Sequence, residues 1–404
     1  MIDSTAMADP RTLRAAAIFL LFLLSPLAGA GGSRARTAAH RAHKPAPPAS
    51  PARGAFLTGA DLSELPVHEG RGVKYYDGGK AEDLLLIARR NGWRVIRVRL
   101  WVSPDARPED SVSGLEGVTA LGRRIKAADL LFMLDIHYSD TWADPGHQTK
   151  PAAWKDLPFP DLVQRVHDYS RDVVAHLRES HALPDLVQVG NETRNGLLYG
   201  SGTDGAGPQP GGSFWENTAG GRDRAVRLLA AGLAGVRAGA SPARPPRTIL
   251  HVPDGQDTPF LRDYFRDLGT SARAQGIPLD YDIVGLSYYP ADPWDKKAGY
   301  DGWTLARLSA SLDYVAVTLH KPVMVVETSW PQAGQPQSIP GTPPFPFTPA
   351  GQVGFYRALI QAVRAVPDGL GVGVVPWNQD SLNWDSVFDS HGNALPAVRA
   401  LGQP

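Results

Sequence analysis

The chain has 404 residues, 43% of them hydrophobic and 20% charged, which is the composition of a folded globular domain and not of a disordered one. Lysine plus arginine and aspartate plus glutamate number 41 each, so no net field draws the protein to nucleic acid or another polyanion, and a neutral partner is expected. Cysteine is absent, which removes disulfides, thiolate catalysis and thiolate metal sites.

In chain order, Arg11 and Arg14 come first, then the apolar run 15-AAAIFLLFLL-24, then 25-SPLAGA-30 with its small-x-small end. That order of basic, apolar and small residues predicts a secretory signal peptide over 1–30. Its apolar run is shorter than the roughly 20 residues a spanning helix needs, so no membrane insertion is expected after cleavage. Residues 31–53 are rich in Ala, Pro and basic side chains with nothing to bury, and read as a disordered linker. One catalytic domain is expected over 54–404.

Within that domain, short apolar and β-branched runs predict strands over 55–61, 94–101, 130–137, 185–192, 247–254, 281–289, 321–327 and 371–377. Helical spacing of apolar residues between them predicts helices such as 81–92, 161–180, 222–239 and 351–366. The strands are continuous apolar runs more than alternating ones, as suits parallel strands covered on both faces. Their number and spacing fit an α/β fold of the eightfold (β/α) TIM-barrel type. A doubly wound open sheet is the alternative, but no G-x-G-x-x-G follows the first strand.

In such a barrel the chemistry gathers at the C-terminal ends of the strands. Those ends carry Asp61, Arg97, Arg99, Asp135, His137, Asn191, Glu192, Tyr288, Tyr289, Glu327 and Trp377. Glu192 and Glu327 are carboxylates delivered to the mouth by apolar strands, the pair that glycoside hydrolysis requires. A single such glutamate is as easily a satisfied ion-pair partner of Arg97 or Arg99. Two of them, the first preceded by Asn191, favour catalysis. A metal site built on Asp135, His137, His251 and Asp282 is the competing arrangement. No His-x-His lies near a strand end to support it, so no metal is expected. Among the tryptophans, Trp142 and Trp330 follow strand ends and are candidate sugar platforms. Trp154 divides evenly between binding and loop packing, while Trp93 and Trp101 read as packing residues.

The strings 59-GADLS-63, 97-RVRLWVSP-104, 135-DIHYSDTWADPGHQTKPAAW-154, 189-VGNETRNGLL-198, 284-VGLSYYP-290, 326-VETSWP-331 and 347-FTPAGQ-352 together resemble glycoside hydrolase family 53, the secreted endo-β-1,4-galactanases. The resemblance runs from about residue 54 to the C-terminus. It implies a retaining mechanism with Glu192 as acid/base, Glu327 as nucleophile and Asn191 on the substrate 2-hydroxyl, the two carboxyls roughly 5–5.5 Å apart. A cation, Arg97 or Arg99, would orient Glu327, while His137 and Tyr289 would hold the nucleophile and the −1 sugar. Trp377 would floor the −1 subsite. The implied partner is a polysaccharide, β-1,4-galactan, met by a monomer outside the cytoplasm, with no obligatory cofactor. Three departures stand out. Trp-Asn-Gln at 377–379 replaces the family's Trp-Glu-Pro, and Tyr199-Gly200 replaces its Trp-Pro. The eighth loop, which holds a calcium ion in bacterial members, is shortened.

Overall fold

The computed structural model describes residues 55–201, 211–213, 219–291, 296–334 and 339–402. The expected signal peptide and linker lie outside the described residues, as does most of the glycine-rich stretch 201–221. Eight parallel strands close a barrel: β1 (Leu57–Asp61), β2 (Val95–Leu100), β3 (Leu131–Ile136), β4 (Leu186–Val189), β5 (Arg247–Val252), β6 (Ile283–Tyr288), β7 (Val323–Thr328) and β8 (Gly371–Val374). Each pairs with its sequence neighbours, and β8 returns to β1. A helix follows each strand: α1 (Leu84–Arg90), α2 (Leu115–Ala127), α3 (Phe159–Glu179), α4 (Ala219–Gly239), α5 (Thr258–Gln275), α6 (Leu305–Asp313), α7 (Pro349–Arg364) and α8 (Pro396–Gly402). The open doubly wound sheet is thereby excluded.

Local chemistry sets several helix starts. Asp83, Asp257, Thr304 and Thr348 each accept a hydrogen bond from a backbone N–H of the first turn, the cap that an otherwise unpaired donor requires. Pro259 and Pro349 sit at first-turn positions, where a missing N–H costs nothing.

Helices α3 and α4 meet through a seam of glycine. A methyl group at Gly235 would stand 2.2 Å from the His167 carbonyl oxygen, and one at Gly239 would stand 2.3 Å from that of Arg171. Arg178 closes the end of the seam by donating to the Gly239 carbonyl at 2.7 Å. Gly235→Ala is therefore expected to destabilise the fold by about 1–3 kcal/mol, because backbone must give way. Gly269→Ala, on α5 with only the flexible tip of Arg273 nearby, should do the reverse through better helix propensity. Denaturant unfolding of the two variants checks this, and equal stabilities would refute the seam.

The barrel interior is layered, one residue in two along each strand pointing inward. Leu57, Val95, Met133, Leu186, Ile249, Ile283, Met324 and Val372, one from each strand, form an apolar plug. Two residues further on come Arg97, Asp135, Gln188 and His251, and two further still Asp61, Arg99, His137 and Ser287. The plug carries a polar layer, and that layer is the floor of the mouth.

Candidate active site

The mouth holds a cleft of about 750 Å³. Of the residues expected there from sequence, Arg97, Arg99, His137, Trp142, Asn191, Glu192, Tyr289, Glu327 and Trp377 line it.

Glu327 reaches the cleft by a slip in the sheet. Leu286 pairs with Val325, but the next pair is Ser287 with Glu327, so β7 advances by one residue relative to β6. That irregularity brings the carboxylate, not Val326, into the mouth. Glu192 reaches it through strained backbone. The residue adopts left-handed φ 46° and ψ 56° three residues past the end of β4, a conformation that costs a non-glycine residue about 1–3 kcal/mol. One carboxylate oxygen of Glu192, one of Glu327 and a ring nitrogen of His251 all lie within 4.8 Å of one another. That spacing belongs to retaining glycosidases, since inverting pairs stand roughly 6.5–9.5 Å apart.

Arg97 is the hub. Its guanidinium donates to Asp61 at 2.8 Å, Asp135 at 2.8 Å, Asn191 Oδ1 at 3.0 Å and Glu327 Oε1 at 2.6 Å. Tyr289 adds a hydroxyl to Glu327 Oε2 at 3.1 Å. Burial and the Glu327 charge push the Tyr289 phenol well above its ordinary range, so it remains a donor. Among the described residues no cation pairs with Glu192. Its Oε1 accepts from the Ser287 hydroxyl at 2.6 Å.

This asymmetry decides where a shared proton resides. Burial pushes Glu327 up to about 7, against the pull of Arg97 and with the added push of Asp135 and Asp61. Burial, and then the Glu327 charge, push Glu192 well above the usual carboxylate range. Glu327 has a guanidinium and a phenol to hold its negative charge, whereas Glu192 has one hydroxyl. The last proton of the pair therefore sits on Glu192.

Asn191 donates to the Ala143 carbonyl at 2.7 Å, with its Oδ1 turned to Arg97. The ring proton of His137 sits on Nε2, which donates to Asp135 at 2.9 Å, because Nδ1 accepts the Ala143 N–H at 3.0 Å. Trp142 stacks on the Arg99 guanidinium at 4.0 Å and stands edge-on to Trp377 at 6.0 Å. These two indoles make one corner of the cleft. Arg99 is not the cation on Glu327; it pairs with Glu64 at 3.0 Å.

Four expected contacts are corrected. Asp61 and Asp135 are buried beneath the cleft, where Arg97 takes up both and Ser63 and His137 complete their bonding. Tyr288 points outward from β6, its hydroxyl donating to the Trp303 carbonyl at 2.6 Å and its ring stacked on Phe355. Trp330 is wholly buried against Phe355 of α7, with ring centroids 4.8 Å apart. Trp154 is a packing residue, edge-on to Tyr169 at 5.3 Å. The competing metal set does not assemble. Asp282 binds Thr248 before β6 begins, at the end of the barrel away from the mouth.

The loop after β3 explains its own composition. Asp140 accepts from the backbone N–H groups of Ser103, in the segment after β2, and of Ala152, further along its own loop, and so ties the loop to its neighbour and to itself. Gln148 donates to the Asn191 carbonyl at 2.8 Å, and Tyr199 donates to Pro145 at 2.9 Å. Tyr199 thus braces the cleft wall. The segment after β8 brings Asn383, Trp384 and Asp385 to the rim. Trp384 is 42% exposed, a large ring held open to solvent, and was not anticipated. Arg194, Asp254 and Trp303 line the opposite side.

Comparison with known proteins accords with this geometry. The glycosyl hydrolase family 53 model matches residues 57–401. A probable arabinogalactan endo-β-1,4-galactanase A of Aspergillus terreus is 35% identical over 78% of this chain and 83% of its own. An arabinogalactan endo-β-1,4-galactanase of Cellvibrio japonicus is 32% identical over 85% of this chain and 89% of its own. Among solved structures, a fungal β-1,4-galactanase superposes with a TM-score of 0.73 at 29% identity, covering 87% of this chain and 100% of that one. The chain belongs to glycosyl hydrolase family 53.

Proposed function

We propose that the protein is an endo-acting, retaining glycoside hydrolase that cleaves β-1,4-galactosidic bonds in galactan and in the type I arabinogalactan side chains of pectin. The observation that carries this reading is the unequal carboxyl pair: Glu327 braced by Arg97 and Tyr289, Glu192 holding the proton, both in a tryptophan-walled cleft.

In the first step a Glu327 oxygen attacks the anomeric carbon while Glu192 gives its proton to the departing glycosidic oxygen. The C–O bond of the linkage breaks and a glycosyl ester forms. Glu192, now a carboxylate, takes a proton from water, whose oxygen displaces Glu327. Two inversions restore the β configuration. In this reading Asn191 meets the 2-hydroxyl with an amide hydrogen, Trp377 lies under the −1 ring, and Trp142 and Trp384 carry neighbouring sugars. His137 holds Asp135 and the loop after β3 in place. No step calls for a cofactor. Among the described residues no helix is long and apolar enough to cross a membrane. With the segment 1–30 read as a signal peptide and 31–53 as a linker, the enzyme acts as an exported monomer outside the cytoplasm.

The test is reducing-sugar release from β-1,4-galactan by the mature chain, with the first-formed product anomer followed by proton NMR. Short β-configured oligosaccharides are expected. An α product would overturn the retaining assignment. Binding without release would favour a barrel that has become a carbohydrate-binding protein, and inertness without binding would move the substrate to another β-linked glycan.

A further inference from the structure

Behind Glu192 lies a chain of hydrogen bonds that the mechanism above does not use. His251 on β5 is wholly buried. Its Nδ1 accepts from the backbone N–H of Glu192 at 3.2 Å and faces the Gln188 amide nitrogen at 2.9 Å. That amide nitrogen is itself oriented by Asp135. Asn191 Oδ1 also stands 3.0 Å from Nδ1, but its lone pairs face Arg97 and Gln188. A peptide N–H cannot be reversed, so Nδ1 carries a lone pair and the ring proton is on Nε2. Burial, together with the nearby Arg97 charge, keeps the ring neutral. Nε2 faces the Ser287 hydroxyl at 2.8 Å, and donation from Nε2 occupies an oxygen lone pair there. The hydroxyl proton of Ser287 is then free to point only one way, to Glu192 Oε1 at 2.6 Å.

We propose that His251 and Ser287 are positioning residues that aim a fixed hydroxyl donor at Glu192 Oε1, leaving Oε2 to carry the proton given to the leaving group and steadying the carboxylate once that proton has gone. This rests on the reading of Glu192 as the acid/base. The relay has direction: backbone N–H to His251, His251 to Ser287, Ser287 to carboxyl. It also explains why two buried polar side chains interrupt the apolar runs of β5 and β6, where each would otherwise weaken the strand's packing. The other ionisable groups facing Glu192 are Glu327 from β7, Asp254 from β5 and Asp144 from the loop after β3, all of which oppose its ionisation. Tyr289 and Arg97 lie behind Glu327. Ser287, by its hydrogen bond, favours the charged form against them.

Ser287→Ala should therefore move the basic limb of the kcat/KM–pH profile on galactan upward by about one unit, the tenfold that a hydrogen bond to a carboxylate is worth. Ser287→Thr, which keeps the hydroxyl, should restore the parental limb. A direct titration of the Glu192 carboxyl carbon by 13C NMR supplies the same shift without turnover. An unmoved or downward-moving limb in Ser287→Ala would overturn the relay. If Glu192→Ala itself leaves galactan hydrolysis unaffected, the acid/base assignment fails and not the relay alone. Should Ser287→Ala not fold, the Thr variant and the NMR titration of His251→Leu, which has no donor to offer Ser287, decide the matter, because loss of the Nε2 donor must raise the Glu192 titration or the relay is wrong.

Discussion

Alanine at position 327 is expected to abolish galactan hydrolysis, and no pH should recover it. In the proposed mechanism that carboxylate forms the bond to sugar, and among the described residues no other carboxylate of the cleft is held by Arg97. Of the two remaining carboxylates near Arg97, Asp61 and Asp135 are both buried beneath the floor. Added azide should recover turnover by attacking the opened face, giving a glycosyl azide of inverted configuration. Glu192→Ala should behave differently. Loss of a general acid lowers the rate on galactan by about 10²–10⁴-fold. An aryl galactoside with a good leaving group needs no proton and should still glycosylate Glu327, so a burst of released phenol followed by slow turnover is the signature. Azide then attacks from the other face and yields a product of retained configuration. The double variant should be no worse than Glu327→Ala alone, because the two groups act as a unit. Opposite azide products would fix both roles in one pair of NMR spectra. Identical products from the two variants would sink the assignment.

The second large effect concerns folding. Arg97 is 1% exposed and is the cation shared by Asp61, Asp135 and Glu327. Replacing it with methionine keeps much of the volume and leaves three buried carboxylates without compensation. Breaking a buried ion pair by removing one partner costs about 3–5 kcal/mol, and a loss at the upper end is expected here. The deficit should depend on pH. Burial pushes Asp135 up, but Arg97 and His137 pull it down further, so its folded value lies below the ordinary 3.8. A carboxyl depressed in the folded state adds stability above its unfolded value and loses it as pH falls through the folded one. In Arg97→Met that contribution is gone, and the buried acids take up protons on folding. The gap between parent and variant should thus be widest near neutrality and narrow as pH drops through the carboxylate range. Urea unfolding at several pH values measures it. A pH-independent gap would mean that lost packing, not uncompensated charge, accounts for the cost.

Much of this was legible beforehand for a physical reason. A parallel barrel strand is buried on both faces, so it writes itself as an unbroken apolar run, and a glutamate ending such a run is conspicuous. Glu192 and Glu327 stand out on that ground. What strand ends do not reveal is direction. Tyr288 and Tyr289 are adjacent, yet only Tyr289 faces the cleft, and counting in twos from Ile283 would have separated them. The same count singles out Gln188, His251 and Ser287, polar residues on the inward side of apolar strands. For Glu327 the count misleads, because the slip between β6 and β7 is invisible in sequence. Trp330 misleads for another reason. It lies just past a strand end, but α7 closes over it, and where a helix returns is a tertiary matter. Trp384 shows the converse, since it follows no strand end directly and yet the segment after β8 carries it to the rim.

The left-handed turn at Glu192 has a consequence for anyone seeking a hardier form of this protein. Glycine adopts that conformation without penalty, so the substitution most easily rewarded by a melting-temperature screen relaxes this turn and returns up to about 1–3 kcal/mol. It also deletes the proton donor. Selection on heat tolerance alone would drift toward a durable sugar-gripping barrel that cuts nothing, and the uncomfortable backbone after β4 is the mark of a fold kept by what it does.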